Sequence, residues 1–317
     1  MTVFAPTARR NAAQILGTDI STATTLDDAL NTSGLNWGIE DIPADGINIL
    51  TEDGIISTSI PGHRMLMRSD NQVTLGVVGQ RYETVTNREA FALADAAKSL
   101  GATFAHAGEL DHGRKSFLTM HLPEAQVSVG GHDIIDFSLV LRTSHDGSGA
   151  ITGEAMGTRL VCTNGMRAPI EGVTQRWSIR HTSGADNALE EARDALKHIM
   201  AYAKEFAAHA DNMINQKFSE RDFNQLVATV FPQPDEDLAT PRRINAWERR
   251  REELMDLFIE QDTQEEGRLT QWGAWNAIVE HNDWYRSANN GEEGRALRNF
   301  NGDVSGVVNR SFRLLNA

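Results

Sequence analysis

The sequence predicts an α+β fold in which an antiparallel sheet of hairpins, with one packing helix inserted, precedes a helical C-terminal region. Short alternating apolar runs separated by turn residues fill the chain up to residue 186, and alanine- and charge-rich runs follow from residue 187. Strand patterns that precede helix patterns, instead of alternating with them, are typical of this class. A length of 317 residues and an apolar content of 40% suffice for a packed core.

Three segments are predicted along the chain. Residues 1–45 are polar and turn-prone and are interpreted as an N-terminal arm with a short helix near 26–30. Residues 46–186 form the antiparallel β-rich core with one helix. Residues 187–317 form the helical C-terminal region.

The β-rich core begins with two predicted hairpins. Asp53-Gly54 separates two short apolar runs, and this dipeptide between such runs favours a tight hairpin turn. A second hairpin is expected from the runs at 64–68 and 73–78. Thr86 is a suitable N-cap for a helix over 88–100, and Gly101 stands where a C-terminal cap belongs.

The C-terminal region carries apolar residues at helical spacing. They predict helices at about 188–218, 220–230, 243–260, 270–281 and 292–299. Trp272 and Trp275 stand three residues apart on one face, and we interpret this face as packing against the body of the protein.

The net charge of −14 excludes a uniformly basic surface of the kind that coats nucleic acid. The charge is unevenly distributed. Residues 1–63 carry a net −6, residues 64–182 a net 0 and residues 183–317 a net −8. A local basic groove in the middle segment therefore remains compatible with the composition.

We expect no membrane partner, because no apolar run approaches the roughly 20 residues of a membrane span. A single cysteine, Cys162, fits a reducing compartment, and the first residues lack an apolar run of secretory length. These features predict a cytoplasmic protein.

Enzyme motifs are missing from the sequence. It contains no HExxH, CxxC, GxSxG or GxxxxGK[ST] pattern, and Cys162 at the end of an apolar run is expected to be buried and inert. We therefore expect no catalytic residues, no resident metal and no cofactor. One alternative stays open, in which His132, Asp133, His145 and Asp146 serve a metal-dependent nuclease or another DNA-processing enzyme.

Arginines are concentrated between residues 142 and 182. Because a guanidinium donates two parallel hydrogen bonds, arginine is suited to phosphate, and an adjacent tryptophan offers a face for base stacking. The predicted nucleic-acid-binding residues are Arg142, Arg159, Arg167, Arg176, Arg180, Trp177, His145 and Lys115. All of them lie within residues 46–186, which we therefore expect to be the nucleic-acid-binding core.

Several segments together resemble the phage/plasmid-like family built on a prokaryotic domain of unknown function. They are Tyr82 to Asn87, Leu141 to Ser148, Arg159 to Met166, Arg180 to Thr182 and Trp272 to Trp284. The resemblance spans roughly residues 35–285, and Gly165-Met166 stands where the family is expected to have Thr-Leu.

The resemblance implies a phage, prophage or plasmid setting, and the expected location is then the cytoplasm of the host cell. The family is similar, in its hairpins followed by a helix, to single-strand annealing proteins of the Red-beta, Erf and RecT types. Proteins of those types hold single-stranded DNA without ATP and self-associate into rings or filaments. The similarity therefore implies a DNA-recombination protein that does the same. A third possibility, a protein that binds a host factor through the acidic helical tail, also stays open.

Overall fold

The structure is a computed structural model that describes residues 9–44, 47–58, 60–179, 185–235, 237–301 and 305–317. Its α+β architecture confirms the predicted fold class.

The strands and helices are numbered in chain order. The strands are β1 (Thr18–Asp19), β2 (Ile39–Pro43), β3 (Ile47–Thr51), β4 (Gly54–Thr58), β5 (His63–Arg68), β6 (Thr74–Gly79), β7 (Thr103–Leu110), β8 (Lys115–His121), β9 (Val127–Val129), β10 (Asp133–Ser144), β11 (Thr152–Arg159), β12 (Gly165–Met166) and β13 (Arg176–Ser178). The helices are α1 (Ala12–Leu16), α2 (Leu26–Ser33), α3 (Asn87–Ala90), α4 (Leu93–Ser99), α5 (Ala185–Ile214), α6 (Glu220–Val230), α7 (Pro241–Ile259), α8 (Gln271–Glu280), α9 (Gly291–Asn301) and α10 (Ser305–Leu315).

The main sheet is antiparallel and has the order β1-β7-β8-β10-β11-β12. β13 also pairs with β11, and β9 pairs with β10. β10 lies at the centre, where Leu139 pairs with Met120 on one side and with Ala155 on the other. All three side chains are buried, as expected of central strands that are covered on both faces.

One face of this sheet packs against the long helix α5 and the aromatic helix α8. Phe137 of the sheet makes edge contacts with Tyr202 and Phe206 of α5. Phe206 in turn contacts Trp272 and Trp275 of α8. Both tryptophans are fully buried, so the predicted packing of this helix face is confirmed.

The opposite face is covered by α1 and α9, which also pack against each other. A smaller apolar cluster forms there from Ala13 of α1, Phe117, Val140 and Met156 of the sheet, and Phe300 of α9. The rings of Phe117 and Phe300 lie 4.4 Å apart between centroids. The last turn of α9 is thereby held directly over β8.

Both predicted hairpins are confirmed. The first is β3–β4, which forms a two-stranded sheet. Thr51 pairs with Gly54, so the two-residue loop is Glu52-Asp53, one position before the predicted Asp53-Gly54, and Gly54 begins β4 with a φ of +127°. The second is β5–β6, and β2 extends it to a three-stranded sheet. The segment interpreted as an arm thus contributes strands to two sheets, since β1 also pairs with β7.

The helix expected over 88–100 is divided into α3 and α4. The chain leaves the α conformation at Phe91, whose side chain is fully buried. Both ends of this helical segment lie where the sequence predicts them. Thr86 caps α3 through a capping box, and Gly101 beyond α4 has a φ of +104°. The five predicted C-terminal helices are present as α5 to α9, and α10 is an additional one.

Within the described ranges, no helix combines the length and the apolar character needed to cross a membrane.

Candidate nucleic-acid interface

A cleft of about 510 Å³ lies beside α9, where the ends of several strands of the main sheet meet. We call it the basic cleft. It is lined by Leu110, Lys115, Ser116, Phe117, Arg142, Thr143, Ser144, Ser148, Gly149, Ala150, Thr152, Arg176, Phe300 and Asn301. Among these lining residues three are basic and none is acidic.

The floor of the basic cleft follows from antiparallel pairing. β8 begins where β10 ends, so Ser116 pairs with Thr143 and Phe117 with Arg142. On the other side of β10, Arg142 pairs with Thr152 at the start of β11. Residues that are distant in sequence are therefore brought to one corner of the sheet.

One wall of the basic cleft is the loop between β10 and β11. The Asp146 carboxylate holds this loop in shape, because it accepts hydrogen bonds from Ser144 Oγ at 2.5 Å and from the Ser148 amide at 2.8 Å. From outside, β6 presses on the loop at Gly76, where a Cβ atom would lie 2.8 Å from the Asp146 Cα. Tyr82 donates its hydroxyl hydrogen to the Ser144 carbonyl at 3.1 Å.

The other wall is the C-terminal end of α9. Arg142 donates to the Phe300 carbonyl at 2.7 Å, and Arg167 donates to the Asn299 carbonyl at 2.6 Å. The last carbonyls of a helix lack partners within the helix and carry its partial negative charge, so cationic donors stabilise that end. Glu154 joins the two arginines, at 3.1 Å from Arg142 and 2.7 Å from Arg167.

These groups carry charge at neutral pH. Burial opposes ionisation of Glu154, but Arg167, Arg142 and Arg176 nearby hold the pKa of its carboxyl below the ordinary value. Burial lowers the pKa of Arg142 to about 10, which still leaves it protonated. Three guanidinium groups therefore surround one carboxylate, and the surplus charge beside the cleft is positive.

Two buried donors among the cleft residues lack partners in the described part of the chain. They are the Ser116 hydroxyl and the Arg142 Nε–H. Ser116 is 2% exposed and Arg142 is 9% exposed. Ser116 pairs with Thr143 and its neighbour Phe117 pairs with Arg142, so the Ser116 side chain lies on the sheet face opposite Arg142 and Phe300. A buried donor without a partner costs free energy, so the Arg142 Nε–H marks a place on the α9 face where an additional acceptor would be stabilising.

Lys115 and Arg176 stand at the rim of the basic cleft and are exposed. Neither side chain forms an ion pair with a carboxylate in the part of the chain that the structure describes. Arg176 lies in β13 directly opposite Glu154, which keeps its charge close to the cleft.

The structure brings Arg142, Arg176 and Lys115 of the predicted set together at the basic cleft. Arg167 lies behind the cleft, where Glu154 and the α9 carbonyls occupy its guanidinium. Arg180 lies outside the described residues.

Arg159 is placed in the interior. It is 1% exposed, and its Nε donates to the Asp133 carboxylate at 2.7 Å. Asp133 also accepts from Trp272 Nε1 at 2.7 Å, and Arg159 approaches the Cys162 sulfur at 3.6 Å. This network joins the sheet to α8 and faces no solvent.

Trp177 and His145 are engaged by neighbouring residues. The Trp177 ring lies 5.0 Å from that of His198 and covers Gly153, where a Cβ atom would lie 2.6 Å from it. His145 is 1% exposed and pairs through Nε2 with Asn87 Oδ1 at 2.8 Å. Burial lowers the pKa of His145 to about 4, so its imidazole is neutral at pH 7.

The residues proposed for the metal-dependent nuclease lie in different environments. Asp133 is buried against Arg159, His145 is buried against Asn87, and His132 is exposed. In the described ranges, no group of three or more histidine, cysteine, aspartate or glutamate side chains has an arrangement that would hold a metal ion.

Cys162 is buried, as the sequence predicts. Burial raises the pKa of its thiol to about 11, although the nearby Arg159 acts in the opposite direction. The thiolate is the reactive form of cysteine, and at neutral pH it is scarce here.

Three residues of the basic cleft were missed by reasoning from the sequence, namely Ser116, Phe300 and Asn301. Ser116 directly follows the predicted Lys115. Its polar side chain at the start of an otherwise apolar strand is the signal that could have identified it. Phe300 and Asn301 come from a helix far along the chain, and no local signal connects them with the sheet.

The fold and the site define an α+β protein with a basic cleft at one corner of an antiparallel sheet. The chain belongs to the family described as Domain of unknown function (DUF932), whose model matches residues 74–301. This confirms the resemblance to a family defined by such a domain, while the phage setting and the likeness to annealing proteins remain predictions. Comparisons with curated proteins and with solved structures find no match.

Proposed function

We propose that this protein binds single-stranded DNA at the basic cleft and anneals complementary strands without ATP. The observation that supports the proposal is the cleft itself, in which Lys115, Arg142 and Arg176 converge and no described lining residue is acidic. Annealing requires neutralisation of the phosphates and alignment of the strands, and it needs no nucleophile. Polar and cationic side chains supply the phosphate neutralisation.

The acidic remainder of the molecule is compatible with this proposal. The negative charge lies mainly in residues 1–63 and 183–317, whereas the cleft carries positive charge. Like charge repels DNA from the flanks, so the cleft is favoured as the place where a strand is held.

The salt dependence of binding follows from the number of cations. Each neutralised phosphate of a single strand contributes about −0.7 to the slope of log K against log salt, so the two exposed cations Lys115 and Arg176 give about −1.4. We expect a fluorescent oligonucleotide to show this slope in anisotropy titrations between about 50 and 200 mM salt.

The double variant Lys115→Gln/Arg176→Gln tests the site. It should weaken binding about tenfold or more and bring the slope close to zero, because it removes both exposed cations of the cleft while Arg142 stays paired with Glu154. The matched control Lys204→Gln/Arg221→Gln removes two exposed cations from α5 and α6 and should leave both quantities unchanged. Equal losses in both variants, or no binding at low salt, would contradict the proposal.

Self-association into a ring or filament is part of the same proposal, and the β3–β4 hairpin supports it. Ile49, Leu50, Ile55 and Ile56 are all exposed there, Leu50 to 82%. Exposed aliphatic patches of this kind mark interaction surfaces. Light scattering on Leu50→Ser/Ile55→Ser should report a smaller particle than the unaltered chain, and an unchanged mass would remove the hairpin from the proposal.

We also propose that the protein works in the cytoplasm of a host cell, in a phage or plasmid recombination setting. Capture of a host protein by residues 187–317, together with an absence of DNA binding, would instead support the interaction-protein alternative.

A further inference from the structure

We infer that the β3–β4 hairpin of one copy docks on an arginine-rich surface of the next copy, so that the chain associates head to tail. We call this surface the arginine surface, and it consists of Phe231, Arg250, His281, Tyr285 and Arg286. The inference rests on the self-association in the proposed function and names the two surfaces that meet.

The β3–β4 hairpin lacks a cover within the described part of its own chain. Apart from their pairing with each other, β3 and β4 have no extensive contact with another described helix or strand. A two-stranded hairpin alone is marginally stable in water and needs a further strand or a packed layer for support. We therefore expect another molecule to cover this hairpin.

The end of the hairpin combines apolar and acidic side chains. Leu50 pairs with Ile55 next to the loop, so both side chains lie on one face, and they are 82% and 69% exposed. The loop itself is Glu52-Asp53, which we call the acidic tip. Neither carboxylate of the acidic tip forms an ion pair with a described residue. The complementary partner surface is one that places cations beside apolar rings.

The arginine surface has this composition. Three rings form a row in it, because the centroids of Phe231 and His281 lie 6.4 Å apart and those of His281 and Tyr285 lie 6.1 Å apart. The Arg250 guanidinium carbon lies 5.0 Å from the Phe231 centroid, and Arg286 follows Tyr285 in the chain. Tyr285 is 39% exposed and Arg286 is exposed, so a ring and a cation are both accessible to a partner.

The arginine surface has a surplus of positive charge. Glu253, which borders it, lies 3.1 Å from His281 and 3.7 Å from Arg249. Neither Arg250 nor Arg286 forms an ion pair with a carboxylate of the described residues. Burial, and then the charge of the nearby Arg286, lower the pKa of Arg250 below its ordinary value. Two guanidinium groups that repel each other are stabilised by added negative charge, which the acidic tip of a second copy supplies.

The two surfaces are different and belong to the same chain, and this determines the geometry of the assembly. A contact between unlike surfaces leaves each pair of copies with one free hairpin and one free arginine surface, so further copies can add. Such heterologous contacts form a ring when the rotation closes and a filament when it does not.

Reversal of charge tests the pairing. Glu52→Lys/Asp53→Lys and Arg250→Glu/Arg286→Glu should each weaken self-association about tenfold or more, because like charges then face each other across the contact. A variant that combines both reversals should recover the association. Light scattering over a concentration series measures the particle mass.

The controls separate this contact from a general effect of charge or of folding. Arg242→Glu/Arg243→Glu reverses two exposed arginines at the start of α7 and should leave the particle mass unchanged. Arg286→Glu alone alters an exposed side chain and should weaken association in the same direction as the double reversal. Thermal unfolding of each variant confirms that it folds.

Mixing two defective chains tests whether the contact is head to tail. The chain with Leu50→Ser/Ile55→Ser keeps its arginine surface, and the chain with Arg250→Glu/Arg286→Glu keeps its hairpin. Their mixture should form a pair with one copy of each that grows no further, because one intact contact remains. Self-association of the second chain by itself would show a hairpin-to-hairpin contact and would overturn the inference.

The remaining outcomes separate this inference from the proposed function. An unchanged mass in both charge reversals, or no recovery in the combined variant, would overturn the pairing and leave DNA binding at the basic cleft intact. Loss of oligonucleotide binding by Arg250→Glu/Arg286→Glu would assign the arginine surface to DNA and overturn its assignment to a second copy. A monomer at every concentration would overturn this inference together with self-association, whereas the salt slope tests the cleft separately.

Discussion

Replacing Arg159 tests whether the arginines of this protein divide into structural and surface groups. Arg159→Met keeps the length of the side chain and removes its charge, which leaves the buried Asp133 carboxylate with Trp272 as its one remaining side-chain donor among the described residues. Asp133 is 0% exposed and Arg159 is 1% exposed. Removing one partner of such a buried pair costs about 3–5 kcal/mol, because the remaining charge is uncompensated.

The double variant Asp133→Asn/Arg159→Met distinguishes this cause from a loss of packing. Asparagine still accepts the hydrogen bond from Trp272 and carries no charge, so the double variant should recover about 2–3 kcal/mol relative to the sum of the single losses. The assay is urea unfolding followed by tryptophan fluorescence, with the midpoint and slope fitted together for all variants.

Oligonucleotide binding by the same variants completes the test. At a temperature where Arg159→Met remains folded, its salt slope should equal that of the unaltered protein, since Arg159 is not at the cleft. A stability loss below about 1 kcal/mol, typical of exposed ion pairs, or additive single and double variants would refute the reasoning.

Three further predictions concern neighbouring parts of the structure. Because the pKa of His145 is about 4 in the folded state and about 6.5 when unfolded, stability should be complete above pH 6.5 and fall by roughly 3 kcal/mol as the pH drops to 4; pH-dependent urea midpoints should show this slope, and His145→Gln should lack it. Gly153→Ala should displace the Trp177 ring, destabilise the fold by about 1–3 kcal/mol and weaken DNA binding through the adjacent Arg176, and a neutral effect in thermal unfolding would contradict the packing described. Cys162 should react with an aromatic disulfide reagent only after unfolding, and rapid labelling of the native protein would show that the thiol is accessible.

Local signals were sufficient for much of the fold. Asp53-Gly54 locates the first hairpin to within one residue: the loop is Glu52-Asp53, and Gly54, with a φ of +127°, begins the second strand. The spacing in 187–317 predicts the long helix α5 because its apolar stripe has the helical period. The division at Phe91 was not predictable from spacing, because the break depends on how the ring enters a core formed by distant strands.

The site was less predictable from the sequence than the fold. Composition reveals that arginines are concentrated, but the register of the sheet decides which of them are neutralised. Asp133 precedes Arg159 by 26 residues and meets it because β10 and β11 pair antiparallel. Arg176, on the edge strand β13, has no ion-pair partner in the described part of the chain and stays exposed. The difference between a structural and an available arginine is therefore a tertiary property.

The wall that α9 adds to the basic cleft also has a consequence for the order of events during synthesis. The Phe300 carbonyl lies 158 residues beyond Arg142, the residue that binds it. Domains fold progressively as the chain leaves the ribosome, so the sheet with its cations emerges well before the helix that completes the recess. A nascent chain therefore has the charged corner of the sheet before it has the wall that α9 adds to the cleft.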